Sequence, residues 1–278
     1  MAALETTTGF VTAPSTTVTA VTVSQGTLTV RQFNQGRAWL VDFFRNGQAA
    51  GYGALISPKM HDQVYGIRVR AGIGTQQLLP WGFPQQMFSQ DTLNLSDTGS
   101  ATGGDIENIG YTVLYEQPTG PNANLIDLDT LEARQQAFNL GPTLYGLNFS
   151  LAGHTDGTYS ATTALNAGVQ GAVLKANTDY AVLGAFASET AVMNASNLTI
   201  QGPGTGNYTL SIPMLGQFST SGSASRNMQE YFVQMTKSLK APCIPVVNAA
   251  DAGGTFISVL NNENANTVIA TLLLAPLG

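Results

Sequence analysis

Ala38-Trp39-Leu40-Val41-Asp42-Phe43-Phe44 and Tyr180-Ala181-Val182-Leu183-Gly184-Ala185-Phe186 are the runs on which the reading of this chain turns. Each is apolar, aromatic and of strand length, and each follows a similar prelude, Val23-Ser24-Gln25-Gly26-Thr27 or Val169-Gln170-Gly171-Ala172-Val173. Downstream, Ile67-Arg68-Val69-Arg70-Ala71-Gly72-Ile73-Gly74-Thr75 has the shape of Leu198-Thr199-Ile200-Gln201-Gly202-Pro203-Gly204-Thr205. Breaks follow at Pro80-Trp81-Gly82 and Pro213-Met214-Leu215-Gly216. Glu107–Tyr115 and Glu263–Leu274 then close the two halves as β-rich runs. Five landmarks in one order predict two copies of a β domain. Their offset drifts from 145 positions (Gly26 to Gly171) to 159 (Thr112 to Thr271), a drift that surface-loop insertions absorb at little cost.

Composition narrows the classes. A chain of 278 residues can hold two domains. Only 10% of residues are charged while 43% are hydrophobic, so Thr, Ser, Asn, Gln and Gly stand where charges usually do. Such hydrophobicity argues against disorder. Uncharged polar groups are cheaper to desolvate than charges, which predicts a surface largely covered by neighbouring subunits. Eleven Lys and Arg without a basic run, and a net charge of −6, argue against nucleic-acid binding through phosphate neutralisation. Cys243 is alone, which fits folding in a reducing compartment. Residues 1–19 lack the basic start and apolar core of a signal peptide. No run reaches the roughly 20 apolar residues of a spanning helix.

Short apolar or alternating runs separated by Gly, Asn and Pro clusters give the all-β pattern. Residues 1–22 are rich in β-branched residues and read as an N-terminal arm, either a first strand or a segment pairing with a neighbouring subunit. The arm reading predicts that its deletion leaves a folded but assembly-defective protein. Residues 23–120 read as a first β-sandwich, in which Asn46-Gly47 signals a tight turn. Residues 121–160 read as a connection with a short helix over 129–138, N-capped by Asp129, and with Leu144–Leu151 alternating like a strand. Residues 161–278 read as a second β-sandwich. Within it, Met228, Tyr231, Phe232, Met235 and Leu239 form one apolar stripe, predicting a helix over 223–240 stopped by Pro242 and lying across a sheet edge.

Candidate chemistry is sparse. Asp97-Thr98-Gly99-Ser100 resembles the signature of pepsin-like aspartic proteases, whose mechanism needs two carboxylates sharing a proton. Its counterpart, Asp251-Ala252-Gly253-Gly254, lacks the expected Thr or Ser, and the flanks of Asp97, Asn94-Leu95-Ser96 and Ala101-Thr102-Gly103-Gly104-Asp105, read as loop. His61 and His154 are isolated, with Asp62 and Asp156 nearby, too few ligands for a metal site. Gly-x-Ser-x-Gly is absent. Cys243 reads as a small buried hydrophobe. Gly202-Pro203-Gly204-Thr205-Gly206 lacks the Lys of a phosphate loop and reads as a hairpin turn. Asn-x-Ser/Thr triplets at Asn94, Asn148, Asn194, Asn197 and Asn207 are what this composition produces by chance. No residue is assigned as catalytic, cofactor-binding or metal-ligating, no cofactor is expected, and the chain reads as a non-enzyme.

Strand rhythm, size, the Thr-rich N-terminal segment and the helix before a late strand together resemble the double jelly-roll major capsid proteins of tailless icosahedral viruses and phages. The resemblance implies two tandem jelly-roll sandwiches with one or two short helices. It also implies a homotrimer of pseudo-hexagonal outline, self-assembling into a virion shell in the host cytoplasm. Its partners would be other copies of itself, with minor capsid proteins and an internal membrane as further candidates. The alternative class is a virion spike, tail or adhesion module binding glycans. For that role Trp81 reads as an exposed platform, while Trp39, Tyr111 and Tyr115 read as packed. An aspartic-protease-like hydrolase is the remote alternative.

Overall fold

A computed structural model describes residues 2–12, 17–47, 51–59, 66–71, 84–99, 106–119, 124–137, 144–152, 159–169, 174–189, 195–214, 224–261 and 267–277. In the first half the strands are β1 (Ala3–Thr12), β2 (Thr19–Ala20), β3 (Thr22–Gln25), β4 (Ala38–Gly47), β5 (Gly51–Ile56), β6 (Ile67–Ala71), β7 (Gln85–Met87), β8 (Asn94–Thr98) and β9 (Ile106–Tyr115). They form two antiparallel sheets, in the orders β3-β1-β9-β4-β7 and β2-β8-β5-β6. One apolar core lies between them. Leu40, Phe43, Ile109 and Val113 reach it from the first sheet, and Leu55, Val69 and Leu95 from the second.

The second half opens with β10 (Leu125–Ile126) and α1 (Leu128–Ala137). Then come β11 (Tyr145–Leu151), β12 (Thr163–Ala164), β13 (Asp179–Glu189), β14 (Ala195–Gln201), β15 (Leu210–Pro213) and β16 (Ala224–Met228). It closes with α2 (Tyr231–Leu239), β17 (Ile244–Asn248), β18 (Phe256–Asn261) and β19 (Val268–Pro276). One sheet runs β10-β17-β13-β19-β11 with β16 also on β13, and the other β12-β18-β14-β15. Phe149, Val182, Leu198, Ile212, Ile257 and Leu272 meet in their shared core, joined by Phe232 and Met235 of α2.

The two halves share an order of pairing. The run β1-β9-β4-β7 has its counterpart in β11-β19-β13-β17, and β2-β8-β5-β6 in β12-β18-β14-β15. Ala38–Phe44 and Tyr180–Phe186 lie in β4 and β13, which hold the same place, and the closing runs lie in β9 and β19, which do too. The match of Ile67–Thr75 to Leu198–Thr205 fails, because β6 and β14 hold different places. The Pro80 break and Gln170–Val173 fall outside the described residues.

Several expectations are corrected. The segment read as an arm contains β1, which pairs with β9 at every position from Ala3 to Thr12 and with β3 beyond Thr8. Its extended backbone is therefore satisfied inside its own chain. Asn46 and Gly47 continue β4 opposite Asn108 and Glu107, and β5 belongs to the other sheet, so no tight hairpin forms there. The 121–160 connection contributes β10 and β11 to the second half's sheet. Asp127 caps α1: its carboxylate accepts the Thr130 N–H at 2.8 Å, and Asp129 lies inside the first turn. The predicted helix over 223–240 is shorter. Ala224–Met228 pair with Ala185–Glu189 of β13, because an open strand neighbour outweighs local helical spacing, and α2 begins at Tyr231.

Deleting residues 2–12 should abolish the cooperative urea transition and the near-UV circular dichroism, since β9 loses one of its two neighbours along its whole length. A folded, merely assembly-defective product would contradict this placement of β1.

Candidate functional site

The most elaborate polar feature lies where the halves meet. Because side chains alternate along a strand, the β3-β1-β9-β4-β7 sheet sends one set inward and the other toward the second half. Across β4, β9 and β1, register aligns the outward set in rows: Trp39, Leu114 and Leu4; Asp42, Thr112 and Thr6; Phe44, Gly110 and Thr8; Asn46, Asn108 and Phe10. A shift of register between Leu40 and Asp42 turns Asp42 out beside Val41. Gly110 is small because a Cβ there would lie 2.5 Å from the Phe44 ring.

The second half answers each row. Leu4, Val41 and Leu114 join its apolar core. The Tyr231 hydroxyl donates to Asp42 Oδ2 at 2.6 Å. Thr6 N–H donates to the Thr209 carbonyl at 2.7 Å. The Thr6 hydroxyl lies 3.1 Å from that of Thr112 and accepts the Ser211 N–H at 3.1 Å. Thr8 and Tyr159 hydroxyls lie 2.5 Å apart. Asn197 Nδ2 donates to Asn108 Oδ1, whose own Nδ2 donates to the Gly9 carbonyl, and Asn46 Nδ2 donates to the Met214 carbonyl. At the edge, Arg31 pairs with Glu5 and stacks over the Tyr208 ring, 4.9 Å from its centroid. Buried amides and hydroxyls left unpaired would be costly, so these matches hold the halves in one relative position.

Asp42 is fully buried, and desolvation pushes its carboxyl up to about 7 against the lowering pull of the Tyr231 hydroxyl. Burial likewise raises the Tyr231 hydroxyl well above its ordinary value.

The carboxylate singled out in the sequence has a different setting. Asp97 and the Asn94-Leu95-Ser96 flank read as loop lie instead in β8, paired with β5, and the two Asp97 oxygens accept from Arg45 Nε at 2.7 Å and Nη2 at 3.3 Å. Arg45 Nη2 also lies 2.9 Å from Glu107, and all three side chains are fully buried. Asp97, Arg45 and Glu107 thus form an ion triad tying β8 to β4 and β9 across the core. Asp251 sits in the turn after β17, where its carbonyl accepts from Gly254 and Thr255 N–H groups. No described contact joins the two aspartates. His61, His154 and Trp81 fall outside the described residues. Tyr111 and Tyr115 are buried. Cys243 is buried as expected, its thiol pushed up to about 12 by desolvation.

Gly202–Gly206 form a tight turn joining the paired strands β14 and β15, as the hairpin reading expects. Gly202 and Gly206 take φ of 149° and 65°, conformations that glycine adopts at least cost. The turn's backbone donors are spent internally. Thr205 and Asn207 N–H go to the Gly202 carbonyl, Gly206 N–H to that of Pro203, and Gly204 N–H to the Thr255 hydroxyl.

Two concave surfaces flank the joint. A cavity of about 490 Å³ lies among Trp39, Val41, Pro84, Leu114, Leu239 and Pro242. The Trp39 indole N–H donates to Glu116 at 2.8 Å. A polar groove of about 290 Å³ opens on the β12-β18-β14-β15 sheet beside Gln25. Among the described residues, no three His, Cys, Asp or Glu side chains cluster to hold a metal ion, and no helix is long and apolar enough to cross a membrane.

No protein-family model matches the chain, and no curated protein matches it. Among solved structures, the PBSX exported protein XepA aligns at 9% identity with a TM-score of 0.26, over 98% of this chain and 86% of its own. A structure of the infectious bursal disease virus Gt strain aligns at 10% identity with a TM-score of 0.17, over 100% and 81%. Scores this low carry no argument for function.

Replacing Arg45 with Met strands two buried carboxylates and should cost about 3–5 kcal/mol in urea unfolding; an unchanged midpoint would refute the triad's role. For Asp42 the folded carboxyl titrates above the unfolded one, so the folded state binds the extra proton and stability falls as pH rises from about 4 to about 7. The wild-type urea midpoint should therefore drop more between pH 5 and pH 8 than that of D42N. Parallel profiles would show that Asp42 does not titrate in this window.

Proposed function

We propose that this chain is a structural virion subunit made of two tandem jelly rolls. The observation that carries the reading is the repeated pairing order, β1-β9-β4-β7 with β2-β8-β5-β6 and β11-β19-β13-β17 with β12-β18-β14-β15. In this reading β3 and β10 are additions at sheet edges, β16 is an addition paired with β13, and the domains divide near residue 120. A block of this kind suits repeated lateral contact, because its sheets end in edge strands with unpaired backbone groups that another copy can cover. β11 is such an edge. It pairs with β19 on one side, and the exposed Leu144 stands at its start.

The subunit acts by self-association, as a homotrimer that builds an icosahedral shell, assembles in the host cytoplasm and resides in the virion. Minor capsid proteins and an internal membrane are its further candidate partners. No residue is given a catalytic role.

The purified protein should sediment as a trimer or larger, and electron micrographs of concentrated samples should show closed particles. A strict monomer at about 100 µM, without particles, would contradict the reading.

A further inference from the structure

The outer face of the β12-β18-β14-β15 sheet has two fates along its length. Near β15, Asn197 and Ser211 lie under the first half, within the joint described above, while Thr199 lines the groove. Toward the other end the same face opens. Phe256 stands opposite Gln201 of β14 and Ala164 of β12, and Ser258 stands opposite Thr199. Period-two alternation sends Ile200, Ile257 and Val259 to the core and leaves Gln201, Phe256 and Ser258 on the open side. Gln25, at the end of β3, walls the groove from the first half, and Asn207 from the turn before β15.

Three properties define what this groove can hold. Its lining contains no Lys, Arg, His, Asp or Glu among the described residues, so an ionised ligand would be desolvated without a countercharge. Phe256 is 39% exposed, an aromatic face beside Pro203 and two glycines, with amides and hydroxyls making up the rest of the lining. Gln201 and Asn207 are exposed, so their amide groups can meet a ligand both as donors and as acceptors.

We propose that the groove binds a neutral saccharide, with a C–H face stacked on Phe256 and hydroxyls bonded to the amides of Gln201 and Asn207. A sugar hydroxyl donates to the amide oxygens of Gln201 and Asn207 and accepts from their N–H groups, a pairing that a purely apolar ligand cannot offer. The volume of about 290 Å³ admits about one or two pyranose rings, with the few convergent polar groups typical of small-ligand sites. The proposal rests on this groove alone and does not require the assembly reading.

Saturation-transfer NMR with lactose, maltose, cellobiose and 3′-sialyllactose at about 10 mM tests it. Transfer to the ring protons of at least one neutral sugar is expected, with weaker transfer to the sialylated one. F256A and Q201A alter exposed side chains and should remain folded by circular dichroism while weakening binding about tenfold or more. Absence of transfer from all three neutral sugars would overturn the proposal. So would preference for 3′-sialyllactose, or undiminished binding in both folded variants.

Discussion

The structure depends on one constraint: the outward face of the β3-β1-β9-β4-β7 sheet must find hydrogen-bond partners away from water. Thr6, Thr8, Asp42, Asn46, Asn108 and Thr112 on that face are all buried. Left unpaired, each would carry the desolvation cost of its polar group. The β14–β15 region and α2 supply the partners. The complementarity is directional, so it fixes register and angle between the halves as an apolar contact would not. Apolar contact closes the seam at one end, where Leu4, Val41 and Leu114 enter the second half's core.

The seam also accounts for part of the unusual composition. A low charge content predicts surfaces covered by neighbouring molecules, yet some of the Thr, Ser and Asn that replace charge are consumed within the chain. Charged groups at this joint would each have needed a buried counter-ion, as Arg45 does with Asp97 and Glu107. Uncharged amides and hydroxyls meet the same geometric demand at lower desolvation cost.

Much of the β architecture was legible because apolar runs of strand length show directly in sequence. Ala38–Phe44, Glu107–Tyr115 and Tyr180–Phe186 all lie in long strands, and two of the internal matches join strands of equal position. The false match of Ile67–Thr75 arose because Gly-terminated β runs resemble one another whatever their place in a sheet. The helix was overextended because Met228 continues the stripe of Tyr231, Phe232, Met235 and Leu239, whereas Ala224–Met228 pair with β13. The seam went unseen, although its signal was present: Thr6 and Thr8 alternate with inward residues, and Asp42 interrupts an apolar run. A single strand cannot show whether its second face meets water or protein. Asp97 reads as a loop residue for a related reason, since the strand β5 beside it and its partner Arg45 are distant in sequence and reached only through the fold.

If the polar seam makes one unit of the two halves, they must unfold together. In a W39F/W81F background F33W fluorescence reports on the first half, whose core Phe33 packs against, and reaction of the buried Cys243 thiol with a disulfide reagent reports on the second. Urea titrations followed by both signals should coincide in midpoint and steepness, and both should shift together in Y231F. Separate midpoints, with Cys243 still protected after the F33W indole is exposed, would contradict the account.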